Sequence, residues 1–296
     1  MILSLSSYGQ SFAARGWHRK INCGMAFVLS AYLVLATTSQ PARAQCAAVP
    51  SGAIVAWYAF NEEITTVDSP NYATGNTGVW SSNPPTPVLG MVYGALSFNG
   101  LNNYLDSVDS VVTNFGPGAT SATCGGGYFS SCTGDFSFDA WVNIPSYPSL
   151  PMTIIDKRGP GPVGYSIYIN ADRFGLQLAD GTGAVGYDNY DSPDLSRRFT
   201  LNAWHHIAIT VKRTNAIHFF FDGVLVKQTT PAHLGSLASV SNLRIGANGY
   251  WNPSSTAFFK GMLDEVDLYN RVLTTAEVQA IYAAGANGKC LAHGPS

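Results

Sequence analysis

Asp264 is the acidic residue whose position most needs a chemical explanation. Side chains alternate along a β-strand, which puts this carboxylate on the apolar face of Met262, Val266 and Leu268 in a predicted strand. Because burial of an unpaired carboxylate is unfavourable, Asp264 needs either hydrogen-bond donors or a metal ion, and both alternatives stay open. Calcium takes about six to eight oxygen ligands. An early loop offers further oxygen atoms for a structural Ca2+ ion, from Asn61, Glu62 and Asp68.

Two polar loops combine aromatic rings with carboxylates and amides, the residue types that suit a carbohydrate. Rings stack on the apolar C–H faces of sugars, Asp and Asn hydrogen-bond their hydroxyl groups, and a few converging polar groups are usual in such a site. The first loop predicts ligand contacts from Tyr187, Asp188, Asn189, Tyr190 and Asp191. The second begins at Asn248 and predicts contacts from Tyr250, Trp251 and Asn252. The alternative, that these aromatic side chains pack on the rim of the fold, stays open.

The sequence lacks the motifs of nucleophilic and metal catalysis. It contains no G-x-S-x-G, no H-E-x-x-H and no P-loop pattern. His205 and His206 are adjacent in a predicted strand, so their side chains point to opposite faces and do not form a catalytic pair. These observations favour binding over catalysis.

Short alternating segments predict an all-β protein. In Phe136–Ile144 every second residue is apolar, as in a strand with one face in the core. About a dozen such segments, separated by turn residues, predict a two-sheet antiparallel sandwich or jelly roll. Asn99-Gly100 and Asp222-Gly223 have the composition of hairpin turns. The first of them predicts a hairpin of residues 94–100 and 103–109.

A short helix is expected near the C-terminus. Thr274 and Glu277 have the spacing of a capping box, and Gly285 is suited to the position after the last turn. Val278, Ile281 and Tyr282 then share one face of the helix.

The first 44 residues read as a signal peptide. Basic residues precede the apolar run Met25–Ala36, and Ala42-Arg43-Ala44 supplies an A-x-A cleavage site. The run is shorter than the about 20 residues of a membrane span. The sequence therefore predicts a secreted or periplasmic protein with no membrane span. Without the four basic residues of the leader, 12 basic and 18 acidic residues remain, a net charge of −6 that argues against nucleic acid as a partner.

Four cysteines remain after residue 44, an even number that suggests disulfides in an exported chain. Cys46 and Cys290 lie just outside the two ends of the strand pattern, and Cys124 and Cys132 flank a Gly/Ser-rich loop. Four cysteines allow about three connectivities. Of these we favour Cys46–Cys290 with Cys124–Cys132.

Several stretches of sequence occur together in the order of one known family. They are GALSFNGLNNYLDSVDS, FSFDAWVNIP, IIDKR with GYSIYI, NAWHHIAITVKR, IHFFFDGVLV and KGMLDEVDLYNRVLTTAEVQAIYAAG. They resemble the laminin G-like jelly-roll family, within the concanavalin A-like lectin/glucanase superfamily, in a domain of residues 45–296. The resemblance implies two stacked, curved antiparallel sheets with ligands in loops or on the concave face. It also implies a glycan-binding or adhesion role and a structural calcium ion between an early loop and the last strand.

Glucanases of that fold carry an E-x-D-x-x-E pattern, in which two carboxylates serve as nucleophile and general acid/base. Here the corresponding residues are Glu265, Asp267 and Asn270, and an asparagine cannot transfer the proton. We therefore expect Glu265 and Asp267 to face solvent or to pair with Lys260 or Arg271.

These features predict a secreted, lectin-like domain that binds a glycan or a cell-surface polysaccharide and holds a structural calcium ion. Two alternatives stay open. One is a glycoside hydrolase or lyase of the concanavalin A-like fold. The other is an adhesion or structural module that binds another protein.

Overall fold

Short strands rich in β-branched and aromatic residues build two stacked antiparallel sheets, as the sequence predicts. The computed structural model describes residues 45–48, 50, 52–61, 68–107, 111–117, 133–193, 199–249 and 257–290. Its strands are, in chain order, β1 Ile54–Tyr58, β2 Asp68–Pro70, β3 Thr77–Trp80, β4 Thr86–Leu89, β5 Gly94–Asn99, β6 Leu105–Ser107, β7 Phe136–Asn143, β8 Met152–Asp156, β9 Val163–Asn170, β10 Arg173–Asp180, β11 Tyr187–Asp191, β12 His205–Lys212, β13 Ala216–Phe221, β14 Val224–Thr229, β15 Leu243–Ile245 and β16 Lys260–Tyr269. The helix α1 spans Thr275–Ala284, and a 3-10 helix follows at Gly285–Asn287.

Each sheet contains eight of these strands. The first has the order β14-β13-β12-β7-β16-β5-β4, and β1 pairs with the C-terminal half of β16. The second has the order β11-β10-β9-β8-β15-β6-β3-β2. Strands far apart in sequence, such as β7 and β16, are therefore neighbours, and the chain passes repeatedly between the sheets as in a jelly roll.

Of the two expected hairpins, only one forms. Asp222 and Gly223 have φ values of 48° and 71° and join β13 to β14, because a tight hairpin turn needs positive φ at both positions. The hairpin expected at Asn99-Gly100 is wrong. There β5 pairs within the first sheet, whereas β6 pairs with β3 and β15 in the second. The turn therefore carries the chain from one sheet to the other.

The hydrophobic core lies between the sheets. From the first sheet it receives the alternate apolar residues of β7, β12 and β13, namely Phe136, Phe138, Ala140, Val142, Ile207, Ile209, Val211, Ile217, Phe219 and Phe221. From the second sheet it receives Ile154, Tyr165, Ile167, Ile169, Phe174, Leu176 and Leu178. A fully buried side chain of this size contributes about 1.5–3 kcal/mol, so this layer is the main source of stability.

The last strand departs from simple alternation at a β-bulge. Its register on β7 shifts between Asp264 and Asp267, and Glu265 has a positive φ of 51°. An extra residue reverses the alternation beyond it. Leu263 and Val266 therefore point into the core, whereas Asp264 and Asp267 both lie on the outer face of the first sheet. The expectation that Asp264 shares the inner face with Val266 is wrong.

The helix α1 covers part of that outer face. Thr274 accepts a hydrogen bond from the Glu277 backbone, and the Glu277 side chain accepts one from the Thr274 backbone, so the predicted capping box is present. Val278 and Ile281 pack with Phe220 in a second apolar cluster. The helix thus shields residues on the outside of the first sheet from water.

The two ends of the described chain are joined. Cys46 and Cys290 form a disulfide, the pairing expected from the sequence, and they are 244 positions apart. Beside it, the Ala47 N–H donates to Gly288 O and the Cys290 N–H donates to Ala47 O, both at 2.8 Å.

Some expectations fall outside the described part of the chain. They concern Cys124, Cys132 and the leader of residues 1–44, and they stay predictions. Among the described residues, no helix combines the length and hydropathy that a membrane crossing requires.

Candidate functional site

A row of side chains crosses the outer face of the second sheet from one edge to the other. Cross-strand partners continue from β2 to β11 in the order Asp68, Val79, Asp106, Arg244, Asp156, Ser166, Gln177 and Asn189. Their neighbours Ile155, Ile167 and Leu176 belong to the core, so the row faces away from it. All members except Val79 are polar or charged, and we call the eight residues the polar row.

Arg158 connects the middle of the polar row to its edge. Its Nε–H donates to Asp156 Oδ1 at 2.9 Å, and its Nη1 donates to the side-chain oxygen of Gln177. The Gln177 Nε2 donates in turn to Asn189 Oδ1 at 2.7 Å. Asp156, Arg158 and Gln177 are buried, whereas Asn189 is exposed. The network therefore fixes Asn189 with its carbonyl oxygen toward the protein and its NH2 group toward solvent.

A second contact organises the same edge of the sheet. The Tyr168 hydroxyl crosses over Gly175 and donates to Asp191 Oδ1 at 2.9 Å. A Cβ atom on Gly175 would lie 2.4 Å from the Tyr168 ring and 2.5 Å from that oxygen, so only glycine allows this approach. Burial, and next the charge of Asp191, raise the pKa of Tyr168 far above its usual range, so the hydroxyl stays a donor. Asp191 is thus held in place beside Asn189.

The first predicted loop is the edge strand β11, and its residues divide between two faces. Tyr187, Asn189 and Asp191 pair with outward-facing positions of β10 and lie on the side of the polar row. Tyr190 is buried in the core, and its hydroxyl accepts a hydrogen bond from Ala232 N–H at 2.8 Å. Asp188 lies on that inner side too, 3.4 Å from His233 Nε2. For Tyr190, the alternative left open by the sequence therefore applies: its aromatic side chain packs on the fold.

The second predicted loop begins on the same face. The Gly249 N–H donates to Asp156 Oδ2 at 3.0 Å, and the Asn248 carbonyl accepts from Arg244 Nη1 at 3.3 Å. Asp156 therefore contacts both this loop and, through Arg158, the network that ends on β11. The predicted contacts Tyr250, Trp251 and Asn252 lie outside the described residues.

Arg244 forms the other half of the face. Its guanidinium donates to both oxygens of Asp106, at 2.7 and 2.8 Å, and its Cζ lies 4.1 Å from the centroid of the Tyr104 ring. A guanidinium held by a bidentate carboxylate and stacked on a ring is rigid and planar. It supplies a flat, polar surface within the polar row.

Most of these residues were not predicted from the sequence. Gln177 and Arg244 each stand between two core residues of a strand, and Asp156 follows the core residue Ile155, which is the signal of an outward-facing polar position. That signal does not reveal which outward positions are neighbours, because the register between strands is not visible in one sequence.

Glu265 and Asp267 lie beneath the C-terminal segment rather than in a groove. Lys289 Nζ is 2.5 Å from Glu265 Oε2 and 2.6 Å from Asp267 Oδ2, and Trp57 Nε1 donates to the same Glu265 oxygen at 3.1 Å. Burial alone would lower the pKa of Lys289, but Asp267 and Glu265 raise it well above its usual range. Burial raises the pKa of Asp267, against the opposing effect of Lys289. This cluster holds its charges by mutual pairing.

The expectation about the surroundings of these two carboxylates is therefore wrong. Glu265 and Asp267 do not face solvent and do not pair with Lys260 or Arg271. Arg271 instead pairs with Glu277, 2.6 Å away at the start of α1. A glycosidase needs its substrate between two carboxylates, and here Lys289 occupies that position.

Asp264 holds the turn between β4 and β5. The Val92 N–H donates to its Oδ2 at 2.8 Å, and Oδ1 is buried without a hydrogen-bond partner among the described residues. Burial is the main cause that raises the pKa of Asp264 to about 8. Of the two alternatives for Asp264, hydrogen bonding thus has a specific donor, the Val92 N–H.

The residues expected to share a calcium ion with Asp264 have the following places in the structure. Asn61 Oδ1 accepts from the Gly94 N–H at 2.8 Å, Asp68 belongs to the polar row, and Glu62 lies outside the described residues. Within the described ranges, no group of three or more His, Cys, Asp or Glu residues is placed to hold a metal ion. Amide and backbone carbonyl oxygens, which calcium also accepts as ligands, are not among these groups, and the calcium ion stays a prediction from the sequence alone.

The buried carboxyl of Asp264 has a consequence for stability. Its folded pKa of about 8 exceeds the ordinary value of 3.8, so its stabilising contribution is complete below about pH 4 and is lost as the pH rises through about 8. Asparagine keeps an acceptor for Val92 and does not ionise. We expect the free energy of unfolding of Asp264→Asn, relative to wild type, to increase between pH 5 and pH 8.

Urea unfolding of both proteins in EDTA measures this difference. A difference that stays constant over the pH range would contradict a buried, neutral carboxyl. The same experiment with added CaCl2 tests the calcium prediction, since a stabilisation by calcium that Asp264→Asn abolishes would support it.

Comparison with known proteins agrees with this architecture. A laminin G-like family model, described as concanavalin A-like lectin/glucanases superfamily, matches residues 117–279. No curated protein matches the chain by sequence.

Solved binding domains of toxins share the fold. The binding domain of Paraclostridial Mosquitocidal Protein 1 is similar with a TM-score of 0.57 and 14% identity, over 78% of this chain and 52% of that one. The binding domain of botulinum neurotoxin serotype G follows with a TM-score of 0.54 and 16% identity, over 77% and 50%. A structure of botulinum neurotoxin type C, whose cell entry depends upon interaction with two ganglioside molecules, has a TM-score of 0.50 and 12% identity, over 77% and 50%.

This chain spans about half the length of each of these solved chains. At such low identities the likeness concerns the fold alone. The family model, in contrast, covers more than half of the 296 residues. The chain therefore belongs to the laminin G-like proteins of the concanavalin A-like lectin/glucanases superfamily.

Proposed function

We propose that this protein binds carbohydrate on the outer face of its second sheet. The observation that carries the proposal is the polar row, with Asn189 at its exposed end. Buried partners hold each hydrogen-bonding group there in one orientation, so a ligand meets a preformed surface.

The charges of this face favour a neutral ligand with many hydroxyl groups. Arg158 pairs with Asp156, and Arg244 pairs with Asp106, so each cation has its own carboxylate. An anionic ligand would need a surplus of positive charge on this face. The paired carboxylates reduce the positive charge of the two guanidinium groups. Sugar hydroxyls can both donate and accept, which suits a surface of amides, paired carboxylates and guanidinium groups.

The aromatic residues of the face add a surface for the apolar side of a sugar ring. Tyr104 lies under Arg244, and Tyr187 is half-buried beside Asn189 on the edge strand. Aromatic side chains provide large contact areas with little loss of conformational entropy.

The family and its relatives support the same class of ligand. The superfamily description includes lectins and glucanases. The botulinum neurotoxin type C structure, which shares the fold, concerns interaction with gangliosides, which are glycolipids. We do not infer a ganglioside for this chain, since only the fold is shared.

We further propose that the protein is exported before it binds its ligand. The leader-like segment of residues 1–44 and the Cys46–Cys290 disulfide support this proposal, because structural disulfides persist mainly in oxidising compartments.

Asn189→Ala is expected to weaken binding of a glycan identified on an array by about three- to tenfold, because one oriented hydrogen bond contributes about 0.5–1.5 kcal/mol. Asn189 is exposed, so the fold should tolerate the change. Gln228→Ala is the matched control, an exposed amide on the edge strand β14 of the other sheet. Titration calorimetry measures both affinities. Equal losses in the two variants, or no glycan bound by the wild type, would refute the proposed face.

A further inference from the structure

A cavity of about 320 Å³ lies on the opposite side of the sandwich, between α1 and the outer face of the first sheet. The described residues that line it are Met91, Trp141, Trp204, Asp222, Tyr282 and Ala283. Three aromatic rings and one carboxylate thus converge on a space at the lower end of the about 300–1,000 Å³ usual for small-molecule sites.

Two of the rings, those of Trp141 and Tyr282, are held in place by their surroundings. Trp141 is only 4% exposed, and its ring centroid lies 5.8 Å from that of Tyr282 and 5.2 Å from that of His206. A Cβ atom on Gly223 would lie 2.7 Å from the Tyr282 ring, so this ring packs directly on the turn between β13 and β14. The helix and the hairpin therefore position the aromatic wall together.

Asp222 brings a full negative charge to the cavity. Its Oδ1 accepts from the His206 N–H and its Oδ2 from His205 Nδ1, each at 2.9 Å. The other imidazole nitrogen, His205 Nε2, lies 2.9 Å from the Thr200 N–H and accepts its hydrogen bond. A nitrogen that accepts carries no proton, so the ring is the neutral tautomer protonated at Nδ1. The His205 side chain thus orients Asp222 without cancelling its charge.

We propose that this cavity binds an N-methylated ammonium group. A cation over aromatic faces is attracted by the ring quadrupole, whose faces are partially negative, and sites for quaternary ammonium ligands are built in this way. The methyl groups of such a ligand also suit the apolar side chains of Met91 and Ala283. A choline headgroup and a trimethylated lysine share this chemistry. The site is separate from the polar row and does not depend on the proposed function.

Choline titrated into the full chain tests the proposal, with tryptophan fluorescence and calorimetry as readouts. We expect saturable binding, and about tenfold or weaker binding of 3,3-dimethylbutan-1-ol, which replaces the ammonium by a neutral tert-butyl group. Asp222→Asn keeps an acceptor at the turn and tolerates its positive φ, and should weaken choline binding about tenfold. Asn189→Ala, on the other sheet, should bind choline as the wild type does.

Tyr282 supplies a second, independent comparison. Tyr282→Phe keeps the ring and should bind choline as the wild type does, whereas Tyr282→Ala should lose about fivefold or more in affinity. Equal binding of choline and its neutral analogue, unchanged affinity in Asp222→Asn and Tyr282→Ala, or no saturable binding of choline would each overturn the proposal. Vesicles containing phosphatidylcholine and a trimethyl-lysine peptide, titrated in parallel, identify which source the site prefers.

Discussion

Replacing Lys289 with methionine is expected to lower the free energy of unfolding by about 3–5 kcal/mol, because removal of one member of a buried ionic group leaves the other charges unpaired. The Lys289 side chain is 2% exposed and contacts Glu265 and Asp267, which are 3% and 0% exposed. Burial at this level shields the carboxylates that the variant would leave behind from solvent, and an unpaired buried charge is costly. Urea unfolding at pH 7 measures the loss.

The loss should depend on pH. Burial raises the pKa of Asp267 even in the presence of Lys289. In the variant Asp267 loses the opposing effect of Lys289, so its protonated form is favoured further. Stability from groups with raised pKa is present at low pH and is lost as the pH rises. The difference between Lys289→Met and wild type is therefore expected to be smaller at pH 5 than at pH 8.

Two further variants separate ionic pairing from other effects. Lys260→Met removes an exposed lysine from the same strand region and should change stability by less than about 0.5 kcal/mol. Adding Glu265→Gln and Asp267→Asn to Lys289→Met removes two of the three carboxylates that interact with Lys289, the third being Asp139, and should restore part of the loss. A loss of less than about 1 kcal/mol in Lys289→Met, with no pH dependence, would show that the cluster is not a buried ionic network.

Removing the disulfide is the second change with a large expected effect. The bond between Cys46 and Cys290 closes a loop of 244 positions, which the chain-entropy model values at about 5–6 kcal/mol. We expect the double variant Cys46→Ala/Cys290→Ala to lose about this much in free energy of unfolding. Thermal and urea unfolding, with and without reductant, measure it.

Reductant provides the internal control, because Cys124 and Cys132 remain in the double variant. Reduction should destabilise the wild type strongly and the double variant much less. An equal effect of reductant on both proteins would assign the stabilisation to the other cysteines instead.

The disulfide and the ionic cluster should also be coupled. Lys289 precedes Cys290, and the Ala47–Lys289 bridge fixes this segment on the sheet. A chain end released by Cys290→Ala no longer holds Lys289 against its carboxylates. A variant that combines Lys289→Met with the removal of the disulfide is therefore expected to lose less free energy of unfolding than the sum of the two separate losses.

The parts of the fold that depend on local pattern were predictable from the sequence. The strict alternation of residues 136–144 identifies β7, Asp222-Gly223 identifies a hairpin turn, and Thr274 with Glu277 marks the first turn of α1. In each case the neighbours along the chain determine the structure, so a single sequence contains the necessary information.

Features that depend on partners across the sheet were not predictable in this way. One bulged residue, Glu265, reverses the faces of β16, and periodicity alone does not locate such a residue. The pairing of Lys289 with Glu265 and Asp267 joins residues that are far apart in the sequence. The predicted pairs with the sequence neighbours Lys260 or Arg271 were therefore wrong.

The candidate site shows the same division. Composition pointed to β11, and the structure places Asn189 there on the outer face. The alternation that puts Asp188 and Tyr190 on the inner side becomes visible only when the strand is recognised as the edge of a sheet. Arg158 was not predicted because its contact with Gln177 joins the residues after β8 to β10, although its other partner, Asp156, is only two positions away in the chain.

The most direct test of the account is to map a bound glycan on the protein by amide chemical shifts in a titration. We expect the largest shifts on the outer face of the second sheet, at Gln177, Asn189 and Gly249, and no shift at Gln228 on the first sheet. Shifts confined to the first sheet, or no shifts with any glycan, would contradict carbohydrate binding by the polar row.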